Sequence, residues 1–429
     1  MRLLFLSLLI LLPSPVCFSQ DTKPSESATG STEDNSRFEK LATRYNTLQE
    51  QYYAHEPKEG EDGTKRFLEK HPMNTMVNDF IELEQQSRGS EVGFSCLYHL
   101  VSVAGSVAGD AEYPVTKGKV AALKILGQHY HDYPDVDATF RRLFSGARVR
   151  ESKTFLRDLI SSSTHSHVQA NAMFELANYL ALEANLPAMC ESQLAIIDSA
   201  NPENEAQMKR LVSFAASVKD VAIERNRAEA LALIEQIRDD YSDELVPPRT
   251  NAKSPVIIEV KRSEYDDILK AKREKLIDRL PAVHFELNHS IGQLAPAIDG
   301  DNATGKRMSL ADFHEKVVVV MFSFKGCGPC EAMYPDNRQL IEELSGEPFV
   351  FVGVQGDETI DTVQASLESK AITWRVWWDG KDKRISTQWN IRGWPSTFVL
   401  DQRGVIRFRG LRGKELANAV RSLLKKNTE

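Results

Sequence analysis

Val317-Val318-Val319-Val320-Met321-Phe322-Ser323-Phe324-Lys325-Gly326-Cys327-Gly328-Pro329-Cys330 is the stretch on which the reading of this 429-residue chain turns. Val317 to Phe324 is an apolar run with no alternation, as expected of a central strand buried on both faces. The turn Lys325-Gly326 follows, and then a helix is expected from about Gly328 to Leu344, with Pro329 tolerated in its first turn. A helix start points free N–H groups and partial positive charge at the first cysteine, which stabilises a thiolate. Cys327 is therefore read as the nucleophile toward a disulfide, and Cys330, one turn later, as the thiol that resolves the mixed disulfide. A Cys-x-x-Cys pair is also half of a zinc site. Such a site needs two more ligands, and the chain has no second Cys-x-x-Cys, so no metal is expected.

Downstream, strands and helices alternate. Strands are expected at Phe349–Val354, Trp374–Trp377, Thr397–Leu400 and Val405–Phe408, and helices at Thr359–Ser369, Arg384–Trp389 and from Lys414. Asp401-Gln402-Arg403-Gly404 reads as a hairpin turn. The pattern predicts an α/β domain with a mixed sheet. Gly393-Trp394-Pro395-Ser396-Thr397 places a proline immediately ahead of a strand, which by itself is the mark of a trans proline opening an edge strand. Trp374, Trp377 and Trp378 crowd one short segment, where core packing explains them at least as well as a substrate platform.

These pieces, with Ile291-Gly292-Gln293-Leu294-Ala295-Pro296, the turn Thr304-Gly305-Lys306, Pro335 and the run from Gly393 to Gly410, resemble the TlpA/ResA-like branch of the thioredoxin family. The resemblance covers about the last third of the chain. It implies a thioredoxin-like fold, a cis bond at Pro395 facing the cysteines, and a role for Trp394 in shaping substrate choice. It also implies an exported thiol–disulfide oxidoreductase with catalytic Cys327 and Cys330, acting on protein disulfides or dithiols, fed by a membrane-bound thiol electron donor and needing no cofactor. Gly328-Pro329 is similar to thioredoxin's own dipeptide, which favours a reductant, near about −270 mV rather than about −120 mV. Three positions depart from the family pattern. Met321 stands where thioredoxins keep a buried Asp, Met333 where many TlpA-like proteins carry a Glu, and Lys325-Gly326 where an aromatic residue is usual. Glu331 is the only carboxylate close in sequence and reads as a surface residue.

Working toward the N-terminus, Arg2, the apolar run Leu3–Leu12 and Pro13-Ser14-Pro15 read as a secretory signal, cut after Ser19. The run is shorter than the ~20 residues that span a membrane. Residues 20–37 are polar and read as a flexible leader. Residues 38–245 repeat apolar positions at helical spacing, as in Phe174, Leu176, Ala177, Leu180 and Leu182. The segments around Pro72 and Pro134 hint at helical hairpins, so an all-α, solenoid-like domain is expected. Val246-Pro247-Pro248 opens a linker over 246–288, with a strand-like Val256–Val260 and a connector helix from about Glu264 to Leu280 that Pro281 ends. The thioredoxin-like domain fills 289–429, giving an α+β chain overall.

A formal charge of −8 gives no pull toward phosphate backbones, so nucleic acid is not an expected partner. Cys96 and Cys190 stand alone among apolar neighbours and read as core thiols, able to pair after export only if the fold brings them together. The pairs His129/His131 and His165/His167 lack carboxylate or cysteine partners at ligand spacing. Two rival functions remain. A thiol peroxidase is one, although that class's Pro-x-x-x-Thr-x-x-Cys meets Val320 and Phe324 here; a non-catalytic cell-envelope scaffold built on the helical domain is the other.

Overall fold

A computed structural model describes residues 31–54, 69–104, 112–143, 149–197, 204–246 and 274–425. The signal sequence, Val256–Val260 and most of the expected connector helix lie outside them. The chain divides into two compact units, one of residues 1–179 and 233–279, the other of 180–232 and 280–429.

The first unit is mostly helical. Its first helix, Thr32–Ala54, begins inside the stretch read as leader. The signal was present: Ser31 Oγ accepts the Asp34 N–H at 3.1 Å, and Glu33 and Asp34 put negative charge on the first turn. Helices Val77–Gln86, Glu91–Ala104, Pro114–His129 and Glu151–Ser162 follow, each of the last three packing on its predecessor. The two proline segments punctuate them as their chemistry requires. His71 Nδ1 accepts from Met73 N–H to cap a 3-10 turn at Pro72–Thr75, and a second such turn starts at Val136. His165 and His167 contact the carbonyls of Asp132 and Pro134, and His129 lies 3.3 Å from an Arg88 nitrogen. Leu245–Val246 pairs antiparallel with Glu274–Lys275.

The core of this unit carries two buried histidines. His99 stacks on Phe80 with ring centroids 4.9 Å apart and meets the edge of Tyr45, also at 4.9 Å. Burial pushes both His71 and His99 down to about 4. Each folded value lies below the unfolded value near 6.5, so the unfolded chain binds more protons and stability falls as pH drops from about 6.5 toward 4. Denaturant unfolding should therefore show this unit losing on the order of 2 kcal/mol per histidine between pH 7.5 and 5. A midpoint that does not move over that range would refute the burial of both rings as neutral species.

The second unit holds the α/β fold. Helix Leu280–Asn288 leads into it, and Pro281 sits in that helix's first turn. The expectation that Pro281 ends a helix is thus reversed, because a proline at the first turn forfeits no hydrogen bond. The sheet consists of β1 (Val317–Ser323), β2 (Phe349–Gln355), β3 (Arg375–Trp378), β4 (Ser396–Leu400) and β5 (Ile406–Arg409) in the order β3-β2-β1-β4-β5. β1 runs parallel to β2 and antiparallel to β4, so the sheet is mixed, as in thioredoxin-like folds. All seven residues of β1 are buried. With a period of two, Val317, Val319 and Met321 join one core cluster, and Val318, Val320 and Phe322 join the other. Five helices complete the domain: α1 (Gly328–Glu331), α2 (Tyr334–Glu343), α3 (Ile360–Glu368), α4 (Arg384–Gln388) and α5 (Gly413–Lys425). α5 presents Leu416, Ala419 and Val420 to the first cluster.

The continuous helix expected over 328–344 is broken between α1 and α2. Pro335 has no N–H and falls in the first turn of α2, where it marks a new start. Flanking segments pair with part of each edge of the sheet. Gly292 N–H donates to Ile406 O (2.7 Å) and Ala295 N–H to Gly404 O (3.0 Å) beside β5, while Ala303 N–H donates to Val376 O (2.9 Å) beside β3. The tryptophans of the crowded segment serve the core: Trp374 and Trp377 are buried, with Trp377 Nε1 donating to Met308 O at 3.0 Å.

Candidate functional site

The site is assembled where β1 ends. Gly326 adopts φ +87°, a left-handed conformation that a side chain would strain, and so helps turn the chain from strand to helix within the four residues 324–327. Cys327 is then the N-cap of α1. Its sulfur accepts the Cys330 N–H at 3.3 Å, a donor that also reaches the Cys327 carbonyl at 2.9 Å in the first turn. Cys327 and Cys330 are joined as a disulfide. Their exposures differ: Cys327 retains 7% and Cys330 none. Gly328 and Pro329, between them, are exposed.

The pair is bedded in apolar side chains, with Met321, Met333 and Tyr334 in the same cluster. Asn337, itself buried, donates to the Met321 sulfur at 3.2 Å. Glu331 is exposed, yet its Oε1 accepts the Gly326 N–H at 2.9 Å and ties the helix back to the turn that precedes the motif.

The Trp394–Pro395 bond is cis. Trp394 is half-buried, edge-on to Phe324 with centroids 5.6 Å apart, and contacts Phe322 at 6.4 Å. Gly356, at the end of β2, is required by this arrangement, since a Cβ there would lie 2.7 Å from Trp394 Cη2. Phe324 packs against the cluster that contains both cysteines, so the tryptophan and the redox pair share one aromatic neighbour.

One residue escaped sequence reasoning. Asp357, buried to 7% exposure just past β2, accepts the Lys325 N–H on Oδ1 at 3.0 Å. Its main-chain carbonyl accepts from Trp378 Nε1 at 2.8 Å. The usable signal was its place at the carboxyl end of a parallel strand, where α/β sheets gather their functional groups. Burial pushes its carboxyl above the usual carboxylate range, while the hydrogen bond from Lys325 N–H pulls the other way. Among the described residues no cluster of three or more His, Cys, Asp or Glu side chains is arranged to hold a metal ion. Cys96 and Cys190 are both buried.

With this geometry in view, residues 291–409 match the model of the AhpC/TSA family. Residues 291–409 are a redoxin domain of that family. The redoxin domain is similar to thioredoxin-like protein YneN of Bacillus subtilis, 28% identical over 118 residues, which span 27% of this chain and 68% of that protein. It is similar as well to thiol-disulfide oxidoreductase ResA of Bacillus thuringiensis, 25% identical over 138 residues, 32% of this chain and 79% of that protein. Among solved structures it aligns with the thioredoxin domain of a thiol-disulfide oxidoreductase from Bacteroides vulgatus. That alignment has 30% identity and a TM-score of 0.30, and covers 31% of this chain and 96% of the other. No helix among the described residues is long and apolar enough to cross a membrane.

Proposed function

We propose that the redoxin domain is an exported protein thiol–disulfide oxidoreductase working in the reducing direction. The observation that carries the reading is the Cys327–Cys330 disulfide at the start of α1, with the first cysteine the outer one. In the reduced enzyme the Cys327 thiolate attacks a substrate disulfide. A Cys327–substrate disulfide forms and one substrate thiolate leaves. Cys330 then gives up its proton and attacks the Cys327 sulfur, releasing the second substrate thiolate and closing the enzyme disulfide. Two electrons have passed to the substrate. A membrane-bound dithiol donor outside the cytoplasm restores the reduced pair, and residues 1–19 direct the chain there.

Trp394 and Pro395 flank the motif as the substrate-binding edge: the half-buried indole beside Phe324 offers an extended peptide an apolar contact. Gly356→Ala is expected to push the indole aside and raise KM for a protein disulfide severalfold. The reduction potential against a small dithiol should change less than twofold in equilibrium constant. Equal KM values would remove Trp394 from substrate recognition.

The deciding experiment equilibrates the full mature chain in dithiothreitol or glutathione redox buffers. A potential near about −270 mV supports the reductase; one near about −120 mV makes the protein a disulfide donor. No reversible titration overturns the oxidoreductase reading. The peroxidase alternative is weakened by Val320 and Phe324, which offer peroxide no hydrogen-bond donor, and hydrogen peroxide should be consumed no faster than by a Cys327→Ser control.

A further inference from the structure

Asp357 belongs to a buried polar chain that runs under the redox motif. Tyr334 OH lies 3.3 Å from Ser323 Oγ. With the Gln355 amide oriented to satisfy its neighbours, its oxygen accepts from Ser323 Oγ at 2.8 Å. Its nitrogen then donates to Ser323 O and to Asp357 Oδ2, both at 3.1 Å. The other carboxylate oxygen holds the Lys325 N–H, two residues ahead of Cys327. The chain therefore ends on the loop that delivers the reacting sulfur. Ser323 and Gln355 are buried to 0% and 1% exposure, so the network lies in a medium where charge is weakly screened. A cavity of ≈ 490 Å³ touches Tyr334 and Gln355, and Lys325 and Glu331 also line it.

We propose that Asp357 is a positioning residue that sets the reduction potential of the Cys327–Cys330 pair by holding a carboxylate charge at the root of the motif. This rests on the oxidoreductase reading above. The disulfide is neutral, whereas the reduced pair carries a thiolate on Cys327. A fixed negative charge opposes that thiolate and raises the thiol's pKa. It thereby withholds stabilisation from the reduced state and makes the pair more reducing. The charged and titratable groups about this network are Lys325, whose ammonium favours the ionised form, and Tyr334, with Glu331, Arg338 and Lys370 lining the adjoining cavity. Holding the loop and holding the charge are separable, because an asparagine keeps an oxygen for the Lys325 N–H and a carboxamide carries no charge.

Asp357→Asn in the full mature chain is the test. Above the Cys327 midpoint read in the same protein, its equilibrium constant with dithiothreitol should move about tenfold toward the reduced enzyme, about 30 mV for a two-electron couple. The difference should shrink toward acid pH, and the thiolate absorbance of Cys327 should titrate at lower pH than in the parent. A merely structural role would shift the melting temperature and leave both redox readouts alone. In the unsubstituted protein the coupling is reciprocal: the Asp357 carboxyl carbon, followed by NMR, should show a second inflection at the Cys327 midpoint in the reduced form and none there in the oxidised form. If Asp357→Asn does not fold, that measurement decides. Redox equilibria within twofold of the parent, or no such inflection in the reduced form, overturn the assignment while leaving the oxidoreductase reading standing. A parent protein that shows no reversible titration overturns the oxidoreductase reading and the assignment with it.

Discussion

Cys330→Ser is expected to arrest the domain as a covalent conjugate with its substrate, recoverable on a non-reducing gel and released by dithiothreitol. The substitution leaves Cys327 at the helix start, where it can still attack, and removes the sulfur that resolves the mixed disulfide. Cys327→Ser should capture nothing and lose turnover by roughly 10³-fold or more, since a serine hydroxyl at that place is not ionised. The asymmetry follows from exposure: Cys330 is fully buried, so substrate reaches only Cys327. If Cys327→Ser formed the conjugates instead, the order of attack would be the reverse of that proposed.

The largest stability loss in the domain is expected from Trp389→Ala. Trp389 has 0% exposure and fills the space between Phe322 and Phe398, with ring centroids at 5.5 and 4.9 Å. Emptying it should cost about 3–5 kcal/mol, a large fraction of what a domain of this size has to lose. Because Phe322 also contacts Trp394, the cavity would open directly behind that indole. Trp389→Phe should cost much less. The indole N–H is buried without a hydrogen-bond partner, so losing it relieves a penalty that partly offsets the lost volume. Chemical denaturation of both variants checks this, and a loss under 1 kcal/mol for the alanine would show that the site collapses.

What was legible in the sequence was local. β1 and the Cys-Gly-Pro-Cys turn are contiguous, and the buried strand, the helix start and the cysteine spacing each have a short-range cause. The strands of the sheet were placed to within a residue or two for the same reason. Punctuation was less secure, because a proline can close one helix or open the next. Pro281 was read as a stop and is a start, and Pro335 opens a second helix where one had been expected. The helix at Thr32 was hidden by polar composition, although Ser31 and the acids after it are an ordinary helix opening. Asp357 was out of reach for another reason. Its contact with Lys325 joins the ends of two parallel strands, and nothing in the neighbourhood of Gly356-Asp357-Glu358 announces which loop will lie beside it. Met321 and Met333 made the motif look bare of carboxylates, and the fold supplies one from the end of the neighbouring strand.

The extended segments along β5 and β3 bear on how such a protein meets other chains. A sheet whose outer strands keep free ladders invites strangers to add on, whether a substrate, an unfolded neighbour or another copy. Here Gly292 and Ala295 occupy part of one rim and Ala303 part of the other, so the carbonyls of Gly404, Ile406 and Val376 are already taken. On the reading proposed above, a protein that acts on disulfides of other chains is thereby less open to recruiting them into its own sheet, and encounters fall to the patch around Cys327 and Trp394, where contact can be brief and release follows the chemistry.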